Sequence, residues 1–388
     1  MGSTVRAELD DLRYTGLHRS LVSVDHPSGP YAMVDGKRCL VLCSNNYLGL
    51  ADHPRLRAAA EEAARHFGCG CGASRLVSGN SHFYDRLEET VAEFEGKEAA
   101  LVFSSGYMAN IGLISTIARE GDTIFSDQFN HASIVDGCRL SRARTVIFNH
   151  NDTGDLADKL RSGADDGGRK IIVVESVYSV EGDMAPLREI RELATEHGCT
   201  LVVDEAHATG IHGHSGRGGS EQCGVEPDIV VGTFGKALGT FGAFVSCSIE
   251  LREYLINRAR SIIFTTALPP PVLSASIEAF SVVREEPWRR TALIENAEYL
   301  RDALTNMGLQ VRRGSTQIIP VIVDDAALAL EASRLLRNRG VFVRAIRPPS
   351  VPPGTSRLRV TPMATHSRGD LDAAVRAFAD VGKELRLI

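Results

Sequence analysis

The stretch Thr233–Gly239, TFGKALG, follows an apolar run at residues 228–232 that predicts a buried strand. It places Lys236 among small residues at the end of that strand, where open α/β sheets bind their ligands. A lysine there can lose its proton when it is removed from water, as a Schiff-base lysine must. A second apolar strand ends upstream at Asp204, with His207 three residues later. If the strands are neighbours, the two strand ends predict one crevice that holds a carboxylate and an amine.

The composition is that of a globular protein with about two domains. The chain has 388 residues, of which 43% are apolar and 24% charged, and a net charge of −6 with both signs mixed. This charge gives no case for nucleic acid or a membrane surface as a partner. Apolar runs are shorter than the roughly 18 residues of a membrane-spanning helix, and residues 1–10 do not resemble a secretory signal. The 8 cysteines show no metal-site spacing, so we expect reduced thiols, no metal and a cytoplasmic protein.

Apolar segments without alternation predict parallel strands that are covered on both faces by helices. Seven such strands are expected in the central part of the chain, at 99–103, 122–126, 145–148, 170–175, 200–204, 228–233 and 242–246. Beyond about residue 290 the pattern changes to strands at 318–323, 341–343 and 358–361, with helices at 325–339 and 368–384.

The fold class expected from this pattern is α/β, with a mostly parallel seven-stranded sheet in a large domain at residues 46–290. A smaller C-terminal α/β domain is expected at residues 291–388. Residues 1–45 form an N-terminal segment, with an amphipathic helix predicted at 4–23 and a hairpin at 31–42.

A phosphate site is indicated where the strand at 99–103 meets a helix that continues to about Ala118. The connection contains Ser104 and Ser105–Tyr107, and small polar residues between a strand and a helix commonly bind phosphate at the helix N-terminus. The segment is neither a Walker A pattern nor GxGxxG. It therefore predicts a ligand that carries phosphate, without a nucleotide fingerprint.

A carboxylate, an amine and a phosphate site together suit pyridoxal 5'-phosphate (PLP). Lys236 would form an imine with its aldehyde, and Asp204 would keep the ring nitrogen protonated so that the ring accepts electrons. His207 could bond the phenolic oxygen, while Thr233 and the amides of Ser105–Tyr107 could hold the phosphate. Each residue also has a purely structural explanation, because an aspartate at a strand end is often a helix cap and a lone histidine is often a core residue.

The motifs around these residues resemble those of the α-oxoamine synthases, which are PLP enzymes of fold type I. The similar segments occur in order over nearly the whole chain: SNNYLGL at 44–50, NHASI at 130–134, ESVYSVEGD at 175–183, DEAHATGIHG at 204–213, GRG at 216–218, TFGKALG at 233–239, FTTALPP at 264–270 and AIRPPSVPPGT at 345–355.

The resemblance implies a role for each cofactor contact. His131 would stack on one face of the ring and Ala206 would pack on the other, while Asp204 pairs with the ring nitrogen. His207 and Ser179 would lie near the phenolic oxygen. The implied phosphate contacts are Thr233, Ser105, Gly106 and Tyr107, with Thr265 or Thr266 supplied by the second subunit of a homodimer with shared active sites.

The resemblance also implies the substrate contacts. Asn45 and Arg359 would hold the carboxylate of the amino acid, and Arg347 is a second candidate for a carboxylate. Arg19 would contact the acyl substrate, and Ser74 belongs to the same site. An arginine fork suits a carboxylate. Each arginine could instead be an ordinary surface charge, and for Arg19 this explanation is about as good as a substrate contact.

The reaction implied by the resemblance is a decarboxylative Claisen condensation. Lys236 removes the Cα proton of an amino acid, and the carbanion attacks an acyl thioester carried by CoA or a carrier protein. Residues 345–355 favour the branch of the family that joins L-alanine to a pimeloyl thioester in biotin biosynthesis. Cys69, Cys71 and Tyr84 depart from the family pattern, so glycine C-acetyltransferase, a serine palmitoyltransferase-like enzyme and a secondary-metabolite synthase remain alternatives. An aminotransferase and a noncatalytic relative are alternatives from other classes.

Overall fold

The computed structural model describes residues 2–26, 28–162 and 167–388. Met1, Pro27 and residues 163–166, which the predicted domains include, lie outside the described residues. The chain divides into two compact units. The large unit comprises Leu50–Ser179 and Met184–Arg290, and the small unit comprises Met1–Gly49, Val180–Asp183 and Thr291–Ile388. The domain boundaries at residues 45 and 290 stay a prediction.

The strands, numbered in chain order, are β1 Val24–Asp25, β2 Tyr31–Val34, β3 Lys37–Val41, β4 Ala99–Phe103, β5 Thr123–Asp127, β6 Arg144–Phe148, β7 Lys170–Glu175, β8 Thr200–Asp204, β9 Ile229–Thr233, β10 Ala243–Cys247, β11 Ile319–Asp324, β12 Val341–Phe342, β13 Arg344–Ile346 and β14 Ser356–Val360.

The helices are α1 Gly2–Tyr14, α2 Pro54–Phe67, α3 His82–Glu95, α4 Gly106–Ile117, α5 Ala132–Ser141, α6 Thr153–Ser162, α7 Leu187–Glu196, α8 Gly219–Cys223, α9 Ile249–Arg258, α10 Arg260–Ile263, α11 Pro270–Glu285, α12 Trp288–Asn306, α13 Ala326–Asn338 and α14 Arg368–Glu384. A π-helical turn also occurs at Arg75–Gly79. None of the helices within the described ranges combines the length and the apolar character that crossing a membrane requires.

The large unit is built on the predicted seven-stranded sheet, whose strand order is β4-β10-β9-β8-β7-β5-β6. Strand β10 pairs antiparallel with both β4 and β9, whereas the pairs from β9 to β6 are parallel. Successive residues of each central strand enter two different cores: Val173 and Val202 pack in one, whereas Val174 and Val203 pack in the other. Burial on both faces explains the unbroken apolar runs. The predicted mostly parallel α/β sheet is confirmed.

The small unit contains two further sheets, with strand orders β11-β14-β13 and β1-β2-β3-β12. A core of leucine and valine side chains from β11, β14 and helices α12–α14 fills this unit. The predicted hairpin at 31–42 is confirmed by the antiparallel pairing of β2 and β3.

Two sequence predictions in the small unit need correction, and one strand was missed. The helix predicted at 4–23 ends at Tyr14, because the chain turns at Gly16, where φ is +69°. The strand predicted at 341–343 leaves the C-terminal sheet and pairs in parallel with β3 instead. Strand β13 was not predicted, because its three residues are too few to show a periodic pattern and are recognised only by pairing with β14.

Candidate active site

The carboxyl ends of three neighbouring parallel strands form the candidate site of the large unit. Glu175 ends β7, Asp204 ends β8 and Thr233 ends β9, and Glu175 lies directly opposite Asp204 in the strand register. Lys236 follows β9 by three residues. Parallel strands place their carboxyl ends at one sheet edge, so the predicted proximity of these strand ends is a consequence of the topology.

Asp204 is a buried carboxylate with fixed hydrogen bonds. It is 6% exposed; its Oδ2 accepts from Nδ2 of Asn110 at 2.7 Å, and its Oδ1 accepts from the backbone N–H of Ala206 at 2.8 Å. Asn110 also donates to Oγ of Ser133 at 3.0 Å. Buried carboxylates need such donors to remain charged. The sequence interpretation missed Asn110; the signal was an amide on the otherwise apolar buried face of α4.

His131 lies at the N-cap of α5, and two contacts fix its orientation. Its Nδ1 is 2.8 Å from Oγ of Ser133, and its backbone N–H donates to Oε1 of Glu175 at 2.6 Å. Burial lowers the pKa of His131; Asp204 opposes this effect and Lys236 adds to it. The imidazole is therefore disposed to stay neutral, as suits a ring that presents its face to a ligand.

Glu175 is a second buried carboxyl group at the same sheet edge, and the sequence interpretation assigned it no role. Burial, followed by the charge of Asp204, raises the pKa of Glu175, while Lys236 and the hydrogen bond from His131 act in the opposite direction. The raised pKa disposes the Glu175 carboxyl group to hold its proton, directly opposite Asp204 in the strand register. The sequence marks Glu175 only as the end of a strand.

Lys236 meets His207 at the start of the turn between β9 and β10. Its Nζ lies 2.7 Å from Nε2 of His207. The turn is closed by a hydrogen bond from the N–H of Gly239 to the carbonyl of Lys236 at 3.0 Å. Gly239 has φ +70°, and a Cβ there would come within 2.5 Å of the backbone nitrogen of Ala51. Glycine is therefore required at position 239 to place Lys236.

The predicted phosphate segment forms the N-terminus of α4. Ser105 is the N-cap, and its Oγ accepts from the backbone N–H of Met108 at 3.2 Å. Gly106 begins the helix, and a Cβ at Gly106 would meet nothing within 4 Å. The hydroxyl of Tyr107 bonds Asp136. Free N–H groups at a helix start, with open space beside Gly106, can donate hydrogen bonds to a phosphate group.

The other predicted residues of the large unit occupy four places. Oγ1 of Thr233 donates to the carbonyl of Gly242 at 2.8 Å. Ser74 forms an isolated antiparallel bridge with Thr266, next to Thr265. Ala206 follows Asp204 by two residues, and Ser179 lies four residues beyond the end of β7.

Four predicted substrate residues belong to the small unit. Arg359 donates from its Nη1 to Oδ1 of Asn45 at 3.1 Å and from its Nη2 to the hydroxyl of Tyr47 at 2.9 Å. Arg347 donates to the carbonyl of Gly16 and, at 2.5 Å, to that of His18. Arg19 is exposed and follows His18 directly. The structure therefore joins Asn45 to Arg359; Tyr47, which completes this group, was not predicted from the sequence.

The donor set of the large unit fits PLP. The amine of Lys236 suits an aldehyde, and the fixed carboxylate of Asp204 suits a protonated pyridine nitrogen. The N-terminus of α4 with its open space suits a phosphate. His131, disposed to be neutral, suits the face of an aromatic ring.

The chain belongs to the aminotransferase class I and II family, whose model matches residues 37–378. Full-length relatives are named 8-amino-7-oxononanoate synthase. One, from Geotalea daltonii, is 51% identical and covers 98% of each chain. Another, from Geobacter sulfurreducens, is 49% identical over 100% of both chains. A third, 8-amino-7-oxononanoate synthase 2 of Bacillus subtilis, is 44% identical over 100% of this chain and 99% of its own.

The chain is also similar to solved structures of PLP enzymes and of an 8-amino-7-oxononanoate synthase. Serine palmitoyltransferase from S. paucimobilis with a bound PLP–myriocin aldimine has a TM-score of 0.94 and 34% identity, covering 99% of this chain and 98% of its own. The 8-amino-7-oxononanoate synthase of Francisella tularensis has a TM-score of 0.77 and 27% identity, covering 89% and 98%. The resemblance to the α-oxoamine synthases and the expected PLP-dependent fold type I are confirmed.

Proposed function

We propose that this protein is a PLP-dependent α-oxoamine synthase that condenses L-alanine with a pimeloyl thioester, releases CO₂ and forms 8-amino-7-oxononanoate. The observation that carries the proposal is the contact between Lys236 Nζ and His207 Nε2, at 2.7 Å, beside the strand that ends in Asp204. The full-length relatives at 43–51% identity support the choice of substrates.

When bound, PLP supplies an electron sink that stabilises a carbanion at the Cα of the amino acid. Lys236 carries the Cα proton. Its amine lies within hydrogen-bonding distance of the buried imidazole of His207, with which it can exchange a proton. Asp204 holds a proton at the ring nitrogen, since Asn110 and Ala206 fix both of its oxygens. His131 covers the ring face with a group disposed to be uncharged.

The remaining cofactor contacts are part of the same proposal. The N–H groups of Gly106 and Tyr107, with Ser105 and Thr233, bind the phosphate. Ser179 and His207 contact the phenolic oxygen, and Ala206 packs against the ring. We further propose that Thr265 or Thr266 reaches the active site of a second copy of the chain, which makes the enzyme a homodimer.

The carboxylate of alanine binds Arg359, whose fork is already oriented by Asn45 and Tyr47. A carboxylate held in a fixed direction keeps the bond to the departing CO₂ in one orientation, which favours its cleavage. Arg347, Arg19 and Ser74 contact substrate. We propose a cytoplasmic enzyme, because all eight cysteines are free thiols.

Release of free thiol tests the proposal. Glycine, L-alanine and L-serine are each combined with acetyl-CoA, pimeloyl-CoA and palmitoyl-CoA, and pimeloyl carrier protein is added as a fourth donor. We expect the highest kcat/KM for alanine with a pimeloyl donor, and no release by a Lys236→Ala control. Amino transfer to a 2-oxo acid without thiol release would instead identify an aminotransferase.

A serine palmitoyltransferase-like activity is the second candidate. Its support is the TM-score of 0.94 to that enzyme, compared with 0.77 for the Francisella tularensis synthase. The same assay separates the two, because this candidate requires serine and palmitoyl-CoA to give the highest kcat/KM.

A further inference from the structure

The small unit gathers arginines that lack carboxylate partners. No ion pair among the described residues involves Arg19, Arg344 or Arg347. Arg347 is 8% exposed, and its guanidinium donates to two backbone carbonyls. A desolvated arginine without a counterion is unfavourable unless an anion joins it.

Arg344 lies directly opposite Arg359 in the antiparallel pair of β13 and β14. Opposed residues point to the same face, with their Cβ atoms about 5 Å apart, and like charges in this arrangement are destabilising. The surroundings of Cys43 also show that Arg344 and Arg359 lie close together. Burial raises the pKa of this thiol to about 12, and the charges of both arginines oppose that rise.

Arg347 follows β13 directly and connects this pair to the N-terminal segment. Its contact with the carbonyl of His18 brings the neighbouring Arg19 close. Burial, then Arg19 and then Arg344 lower the pKa of Arg347, and no acidic group is among the causes. An exposed charge on an edge strand such as β13 can simply prevent aggregation. Protection against aggregation does not require Arg344 to lie opposite Arg359, with Arg19 and Arg347 nearby.

The proposed reaction supplies two carboxylates. Alanine carries one, which leaves as CO₂, and the distal end of the acyl chain carries the other, which survives in the nonanoate product. Arg359, Asn45 and Tyr47 account for the first. We infer that Arg344, together with Arg19 and Arg347, binds the distal carboxylate. Arg344 is then a specificity-determining residue for dicarboxylic acyl donors. This inference rests on the proposed function and adds Arg344 to it.

The test compares Arg344→Gln with Arg376→Gln in the PLP-loaded protein. Arg376 is an exposed arginine of α14 that is not among the charges acting on Arg347. Calorimetric titration with pimelate should show affinity that is about 10- to 100-fold weaker in Arg344→Gln, the effect of losing one charged hydrogen-bonded partner. Arg376→Gln should match the wild type, and Arg344→Lys should recover part of the affinity because it restores the charge without the fork.

Turnover provides a second readout. The ratio of kcat/KM for pimeloyl-CoA to that for heptanoyl-CoA, which lacks the distal carboxylate, should fall at least 10-fold in Arg344→Gln. Unchanged pimelate affinity, or equal losses for both thioesters, would overturn the inference. A third titration uses CoA itself. If Arg344→Gln loses affinity for CoA but not for pimelate, the inference is overturned, because the arginine then binds phosphate. If the wild type binds pimelate but turns over no pimeloyl donor, the proposed function fails while the carboxylate site stands.

Discussion

Replacing Glu175 tests how the sheet edge positions His131. Oε1 of Glu175 accepts from the backbone N–H of His131 at 2.6 Å, and Glu175 is 3% exposed. Glu175→Ala leaves a buried N–H without its acceptor, which costs about 1–3 kcal/mol. If the loss falls wholly on the transition state, kcat/KM drops by roughly 5- to 150-fold. Glu175→Gln keeps an oxygen acceptor, so we expect nearly normal kcat/KM at neutral pH.

The same pair of variants has a pH signature in the apoprotein. Because the pKa of Glu175 is raised on folding from its ordinary 4.5, its contribution to stability is complete below pH 4.5. That contribution is lost as the pH rises towards the raised value. Glu175→Gln has no such group. As the pH rises, the unfolding free energy of Glu175→Gln relative to that of the wild type should therefore increase by up to about 1.4 kcal/mol per pH unit. Urea unfolding between pH 4 and pH 8 measures this.

Two results would refute the reasoning about Glu175. One is a difference in unfolding free energy between Glu175→Gln and the wild type that does not change with pH. The other is equal loss of kcat/KM in Glu175→Gln and Glu175→Ala, because the hydrogen bond to His131 would then have no separate effect.

Three further perturbations probe the large unit. Lys236→Ala should retain PLP weakly, through its noncovalent contacts alone, and release no thiol; normal turnover would contradict the role of Lys236. Asn110→Ala removes a 2.7 Å hydrogen bond from Asp204 and should weaken PLP binding by about 1.5–3 kcal/mol, as measured by spectroscopic titration; unchanged affinity would show that Asp204 does not depend on Asn110. Gly239→Ala forces a Cβ against the backbone of Ala51 at φ +70° and should lower the unfolding free energy by about 1–3 kcal/mol; a stability equal to the wild type would show that the turn adapts freely.

The sequence predicts the large sheet well because that sheet has strong local signals. Its strands other than the largely exposed edge strand β6 are buried along nearly their whole length. The predicted bounds of the seven strands agree with the structure to within one or two residues. The small unit is predicted less completely. The short strand β13 has no periodicity of its own, and residues 180–183, which the chain order places within the large domain, belong to the small unit.

The sequence by itself determined the α/β class, the family and the strand ends that carry Asp204 and Lys236, because apolar periodicity and motif order are local properties of the chain. Only the tertiary structure decided which side chains meet there. The hydrogen bonds from Asn110 to Asp204 and from His131 to Glu175 join residues 94 and 44 positions apart. The opposition of Arg344 and Arg359 arises from strand register. Such contacts depend on how distant segments pack, and no local pattern in the sequence encodes them.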